Sequence, residues 1–146
     1  MTAGKLCTFR LQGLLFGIAA DAVQEVLRAQ PITPLPLAPP EVAGLINLRG
    51  QIVPALDLRR RLGLPLHHED APPSNLVLHG RSGPVSLLIE EIGDVIEIGG
   101  QAVEPVPDTV DGRLRRLVSG VCPLADGLLL LLDGEEALSA VEAKGS

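Results

Sequence analysis

Residues Leu6 to Leu11 alternate, with Cys7, Phe9 and Leu11 on one side and Thr8 and Arg10 on the other. A period of two is the signature of a strand with one buried face. Gly13 marks a turn and Leu14 to Ile18 returns, so the chain is predicted to open with a hairpin. Val23, Val26 and Leu27 then share one side of a helical wheel. Asp21 with Gln24 forms a capping box, so the spacing predicts a short helix over Ala22 to Arg28.

The stretch from Pro31 to Pro40 carries too many prolines for a helix or a central strand and reads as an extended connector or edge segment. A single helical turn is expected over Glu41 to Gly44. Leu45 to Leu48 and Gln51 to Leu58 are apolar strand segments on either side of a turn at Arg49-Gly50. Leu58 to Leu62 fits a helical turn stopped by Gly63, with Pro65 behind it. His67 to Ser74 is polar and proline-bearing, a surface loop.

A second hairpin is predicted from Asn75 to Gly80 and Pro84 to Ile89 around Arg81-Ser82-Gly83. Ile92, Val95, Ile96 and Ile98 continue as a strand in which Gly93-Asp94 suggests a bulge. Gly99 to Asp111 is another connector. Leu117 to Cys122 and Leu128 to Leu132 form a third hairpin about Pro123 to Gly127, and Glu135 to Ala143 is the remaining helix candidate. Many short strands separated by turn signals, with little helix, indicate an all-β barrel or a pair of small barrels. The 146 residues match one ordinary domain and show no internal repeat.

Composition narrows the chemistry. Aromatic residues are 1% of the chain, Phe9 and Phe16 alone, so the core must be aliphatic and no platform exists for stacking bases. The net charge of −6 argues against a general affinity for nucleic acid. Cys7 and Cys122 sit in apolar strand-like text, as buried thiols of a reducing compartment. The longest aliphatic run, Leu128 to Leu132, is far too short to span a bilayer, so a cytoplasmic protein without membrane insertion is expected.

No phosphate-binding loop, dinucleotide fingerprint or nucleophile elbow is present, and no catalytic residue, cofactor or metal site is assigned. His67-His68-Glu69-Asp70 reads as a solvated loop, because adjacent histidines on a loop do not converge on one ion. His79 reads as a surface residue beside a hairpin turn. Asp57 reads as a helix cap or arginine partner. Arg59-Arg60-Arg61 and Arg113 with Arg115-Arg116 are either docking patches for acidic partners or a solvated face with weak local pairs.

The run Asn47-Leu48-Arg49-Gly50-Gln51-Ile52-Val53-Pro54-Ala55-Leu56-Asp57-Leu58-Arg59 resembles the signature of CheW-like domains. Every fixed element of that pattern is present in register: Asn-Leu-Arg-Gly, an aliphatic pair with proline, and Asp-Leu-Arg. Phe16-Gly17-Ile18 with Val23 to Val26, Ile89 to Ile98, and Leu117 to Leu132 agree with other parts of the family pattern. The likeness runs from about Leu6 to Leu138. Ile46 departs from it, standing where the family often has a small polar residue.

The resemblance implies a mostly β fold, two small SH3-like five-stranded β-barrels packed together with short helices, interleaved within one domain over residues 1–146. It implies a non-enzymatic adaptor that couples the cytoplasmic tip of a chemoreceptor to the regulatory domain of a CheA-type histidine kinase. Carried over by position, Val23, Glu25, Val26, Asn47 and Arg49 line or border the receptor-facing groove, while Val53, Pro54 and Asp57 are structural. Read from the residues alone, Glu25 and Arg49 are surface charges or binding groups, and Val23 and Val26 are core or groove. A related adaptor of a pilus, gliding or other kinase pathway is the alternative. A small β-barrel enzyme or ligand carrier is a third reading, requiring converging polar groups that this chain hardly offers.

Overall fold

The computed structural model describes residues 4–65, 72–99 and 103–142. The opening alternation forms strands β1 (Gly4–Leu11) and β2 (Leu14–Ala19), paired antiparallel with Phe9 opposite Phe16. Those two rings stack with centroids 5.4 Å apart, so both aromatic residues of the chain are spent on one cross-strand pair. Thr8, read from alternation as a polar-face residue, is buried, and its hydroxyl donates to the Asp94 carbonyl.

The helix predicted over Ala22 to Arg28 does not form. Ala20–Ala22 makes a single 3₁₀ turn, and Val23–Leu27 is strand β3. The three-residue spacing that mimicked a helix has another cause. β3 pairs with β6 (Ser74–Gly80), Val23 opposite Leu78 and Val26 opposite Leu76, and a bulge at Gln24 inserts an extra residue between them. Val23 and Val26 therefore share one face of a strand, while Glu25 and Leu27 take the other.

The helical turn expected at Glu41 to Gly44 is also absent, because β4 (Val42–Leu48) begins there. A side chain at Gly44 would meet the Thr33 carbonyl oxygen at 2.3 Å, and Thr33 and Leu45 exchange backbone hydrogen bonds of 2.9 and 2.8 Å. The proline-bearing connector thus serves as an edge segment laid along β4. β5 (Gln51–Asp57) follows a two-residue turn, and helix α1 (Leu58–Leu62) starts at Asp57, whose carboxylate accepts from Arg59 N at 3.1 Å. Gly63 closes α1 in the left-handed region, as expected. β7 (Gly83–Ile89) completes the second hairpin.

In β8 (Glu91–Ile98) the expected bulge is present: Cys7 faces Val95 and Phe9 faces Ile92, so Gly93 and Asp94 together oppose Thr8. Helix α2 (Gly112–Leu117) was not predicted, although Asp111 caps it by accepting from Arg113 N at 2.8 Å. Strands β9 (Val118–Leu124) and β10 (Gly127–Leu132) and helix α3 (Gly134–Glu142) close the chain. The loop reading of His67 to Asp70 lies outside the described residues.

Two five-stranded sheets result, ordered β8-β1-β2-β10-β9 and β3-β6-β7-β5-β4. The second is built from the middle of the chain and interrupts the first. Each has its own small interior: Ile98, Cys122 and Leu129 in one, Ile46, Val53, Ala55 and Val77 in the other. The largest apolar cluster lies where the sheets meet, joining Phe9, Leu11 and Phe16 to Leu56, Leu76 and Leu87. Strands β5, β6 and β7 are buried on both sides, which is why they read as near-continuous apolar runs. Cys122 is fully buried and Cys7 half-buried, both as free thiols; burial pushes the Cys7 thiol pKa up. Among the described residues, no helix is long and apolar enough to cross a membrane.

Candidate functional site

The turn between β4 and β5 consists of Arg49 and Gly50, with φ of 52° and 86°. Two consecutive positive φ values match a type I′ hairpin, the tight connection whose twist suits antiparallel strands. Glycine adopts this backbone freely and arginine does not, so a residue of higher conformational cost stands at the tip. Asn47 stabilises the turn, its Oδ1 accepting from Gly50 N at 2.9 Å.

The Arg49 guanidinium reaches across to β3 and donates to Glu25 Oε2 at 2.5 Å. β3 and β4 lie at opposite ends of their sheet, so this ion pair requires the sheet to curl round on itself. Arg49 is two-thirds exposed, whereas Glu25 shows only 24% of its side chain to solvent. The bond from Arg49 holds the Glu25 carboxyl below the usual carboxylate range, and Glu25 raises the arginine in return. The bulge at Gln24 sets Glu25 on the same strand face as Leu27, away from Val23 and Val26.

The five positions singled out from sequence separate accordingly. Glu25 and Arg49 are in contact, and Asn47 shapes the turn that presents Arg49. Val26 is 41% exposed on the outer part of β3, while Val23 packs half-buried against the shared core. Val53 is fully buried and Asp57 caps α1. Sequence reasoning missed Ile52. It stands directly opposite Asn47 and is 61% exposed, an isoleucine offered to solvent beside the charged turn. Its position two residues after Gly50, in a strand that otherwise alternates inward at Val53 and Ala55, was the available signal.

Among the described residues, no group of His, Cys, Asp or Glu is arranged to hold a metal ion. The turn thus presents an ion pair to solvent with the exposed Ile52 beside it.

A family model for the CheW-like domain matches residues 5–142. The chain belongs to the CheW-like domain family. Across 142 aligned residues it is 28% identical to the chemotaxis protein CheW of Rhizobium meliloti, covering 97% of this chain and 92% of that one. It is 34% identical to Protein FrzA of Myxococcus xanthus over 142 residues, covering 94% of this chain and 74% of that protein. The crystal structure of the scaffolding protein TtCheW from Thermoanaerobacter tengcongensis superposes with a TM-score of 0.83 at 26% identity, covering 99% and 97% of the two chains. The pair of SH3-like barrels is the architecture of the CheW-like family, and the resemblance drawn from the Asn47 to Arg59 motif holds.

Proposed function

We propose that this protein is a non-enzymatic coupling adaptor of a chemotaxis system, joining the cytoplasmic tip of a chemoreceptor to the regulatory domain of a CheA-type histidine kinase. It works in the cytoplasm and reaches the membrane through its partners. The observation that carries this reading is the Glu25–Arg49 pair at the mouth of the second barrel, with exposed Ile52 beside its turn and exposed Val26 on the other face of β3. A receptor tip is helical, and a helix lays apolar anchors against such a surface while its charges meet a polar rim. Val26 and Ile52 supply the apolar contact, with Val23 anchoring β3 in the core; Glu25 and Arg49 set orientation, and Asn47 holds the turn in place.

Coupling then follows from linkage. An adaptor bound to both partners alters kinase activity only through different affinities for their conformational states, and each partner's binding is felt by the other. No transfer of a chemical group is required of the adaptor.

The Arg49→Glu variant tests the site. Its side chain is outside every core cluster, so the fold persists while like charges now face each other across the pair. Affinity for a receptor signalling fragment, measured by titration calorimetry, is expected to fall about tenfold or more. Unchanged affinity in the folded variant removes Arg49 from the interface.

The greater identity to FrzA than to the CheW of R. meliloti favours one second reading, an adaptor of the same build serving a kinase pathway other than flagellar chemotaxis. Binding to the kinase of one pathway and not the other distinguishes the two.

A further inference from the structure

The two arginine clusters that the coupling site leaves unused converge in the fold. Helices α1 and α2 are distant in sequence but meet at one end of the second barrel, where the Arg113 side chain covers Gly63 so closely that a Cβ there would lie 2.8 Å from Arg113 Cδ. A cleft of about 150 Å³ between them is lined by Arg60, Arg61, Arg113, Arg116 and Glu41. It adjoins a second hollow of about 300 Å³ walled by Pro40, Gly63 and Leu64, and Glu41, Arg60 and Arg113 belong to both.

The guanidinium groups divide by what they already hold. Arg61 is committed to α3, donating to the Glu136 carbonyl at 2.6 Å, to the Ala137 carbonyl at 3.3 Å and to the Ser139 hydroxyl. Arg60 has only a 3.9 Å approach to Asp57, whose other oxygen already caps α1. Arg113 and Arg116 make no side-chain hydrogen bond or ion pair among the described residues. Four like charges thus face the single carboxylate of Glu41 on a chain whose net charge is −6. Mutual repulsion of this kind is relieved by an incoming anion, and the planar fork of arginine suits carboxylates in particular.

An exposed apolar residue precedes the hollow in sequence. Leu37 is fully exposed and held at φ 67°, a left-handed backbone that leucine rarely adopts. Two residues separate it from Pro40, which walls the adjoining hollow, so its Cα lies within about 11 Å of Pro40. The coupling site is far away. β5 runs its seven residues from the Arg49-Gly50 turn to Asp57, which puts the two surfaces at opposite ends of the barrel, about 20 Å apart.

We propose that the α1–α2 cleft, with Leu37 at its margin, docks an acidic segment of a partner protein, its carboxylates on Arg60, Arg113 and Arg116 and an adjacent apolar residue against Leu37 and Leu64. This surface is independent of the Glu25–Arg49 site and is free while that site is occupied. The test is fluorescence anisotropy with a labelled Glu-Glu-Leu-Glu-Glu peptide, a Lys-Lys-Leu-Lys-Lys peptide as control and inorganic phosphate as competitor. Saturable binding of the acidic peptide alone is expected, weakened by salt, reduced about tenfold in the Arg113→Glu/Arg116→Glu double variant and unchanged in Arg49→Glu. Should the double variant misfold through loss of the Arg113 contact on Gly63, Arg116→Glu alone carries the test. Three results overturn the proposal: binding that survives in the folded variants, displacement by phosphate at concentrations equal to the peptide, or self-association of the protein that accounts for the signal.

Discussion

Glu25 shows how much the position of one residue depends on its neighbours. As sequence it is a glutamate between Gln24 and Val26, and the apolar spacing around it points to a helix. The bulge at Gln24 turns it to the strand face from which it meets Arg49. Because the arginine depresses its pKa, the pair is complete above the usual carboxylate range. The unfolded chain binds the proton first as pH falls, so the pair's contribution to stability is lost as pH drops through the lowered folded-state value. A carbon-detected NMR titration is expected to place the Glu25 midpoint below that of an unpaired glutamate, and to return it to the usual range in Arg49→Ala. An unshifted midpoint in the native protein would show that the ion pair is not held in solution. Arg49 itself was legible from the motif; Ile52 was legible only through the inward alternation of Val53 and Ala55, because an isoleucine in a strand otherwise looks in sequence like any core residue.

At the scale of elements, the hairpins were legible wherever alternation and turn residues coincided: β1–β2, β4–β5, β6–β7 and β9–β10. The capped turn α1 was legible too, since Asp57 and Gly63 bracket it. Two errors share one physical origin. At Val23 and Val26, pairing with the distant strand β6, and at Gly44, pairing within the β4–β5 hairpin, decided a conformation that local spacing assigned to a helix. α2 was overlooked for the opposite reason: Asp111 and the Leu114–Leu117 spacing are local signals, masked by the proline-bearing text before them. The β8 bulge was read correctly, and it makes a prediction at this scale. A Cβ on Gly93 would sit 2.5 Å from Thr8 Oγ1, which is occupied in its bond to Asp94. Gly93→Ala is expected to destabilise the protein by about 1–3 kcal/mol in urea denaturation, through displacement of that buried hydroxyl. Wild-type stability in this variant would mean that the bulge yields without cost.

For the whole molecule, the decisive feature is that the largest core lies between the barrels, where Phe9 and Phe16 of one sheet pack with Leu56, Leu76 and Leu87 of the other. Neither barrel holds enough interior of its own, so the two are expected to unfold in a single transition. Phe16→Ala should lower stability by about 3–5 kcal/mol while keeping that transition single; two separated transitions would show barrels that stand alone. The pairing of two small barrels into one body was legible only through the family motif, since the β5, β6 and β7 runs are apolar on both faces and alternation does not show which sheet each face meets. Two barrels that share one core suit an adaptor, because their common packing relates the surfaces that each presents. The measurement that tests the central claim most directly is reconstitution: co-sedimentation of the protein with receptor signalling fragments and a CheA-type kinase from the same cell, with kinase autophosphorylation read alongside. A coupling adaptor enters the pellet with both partners, and receptor control of the kinase appears only when it is present. A folded protein that stays in the supernatant and leaves kinase activity unaltered would contradict the account.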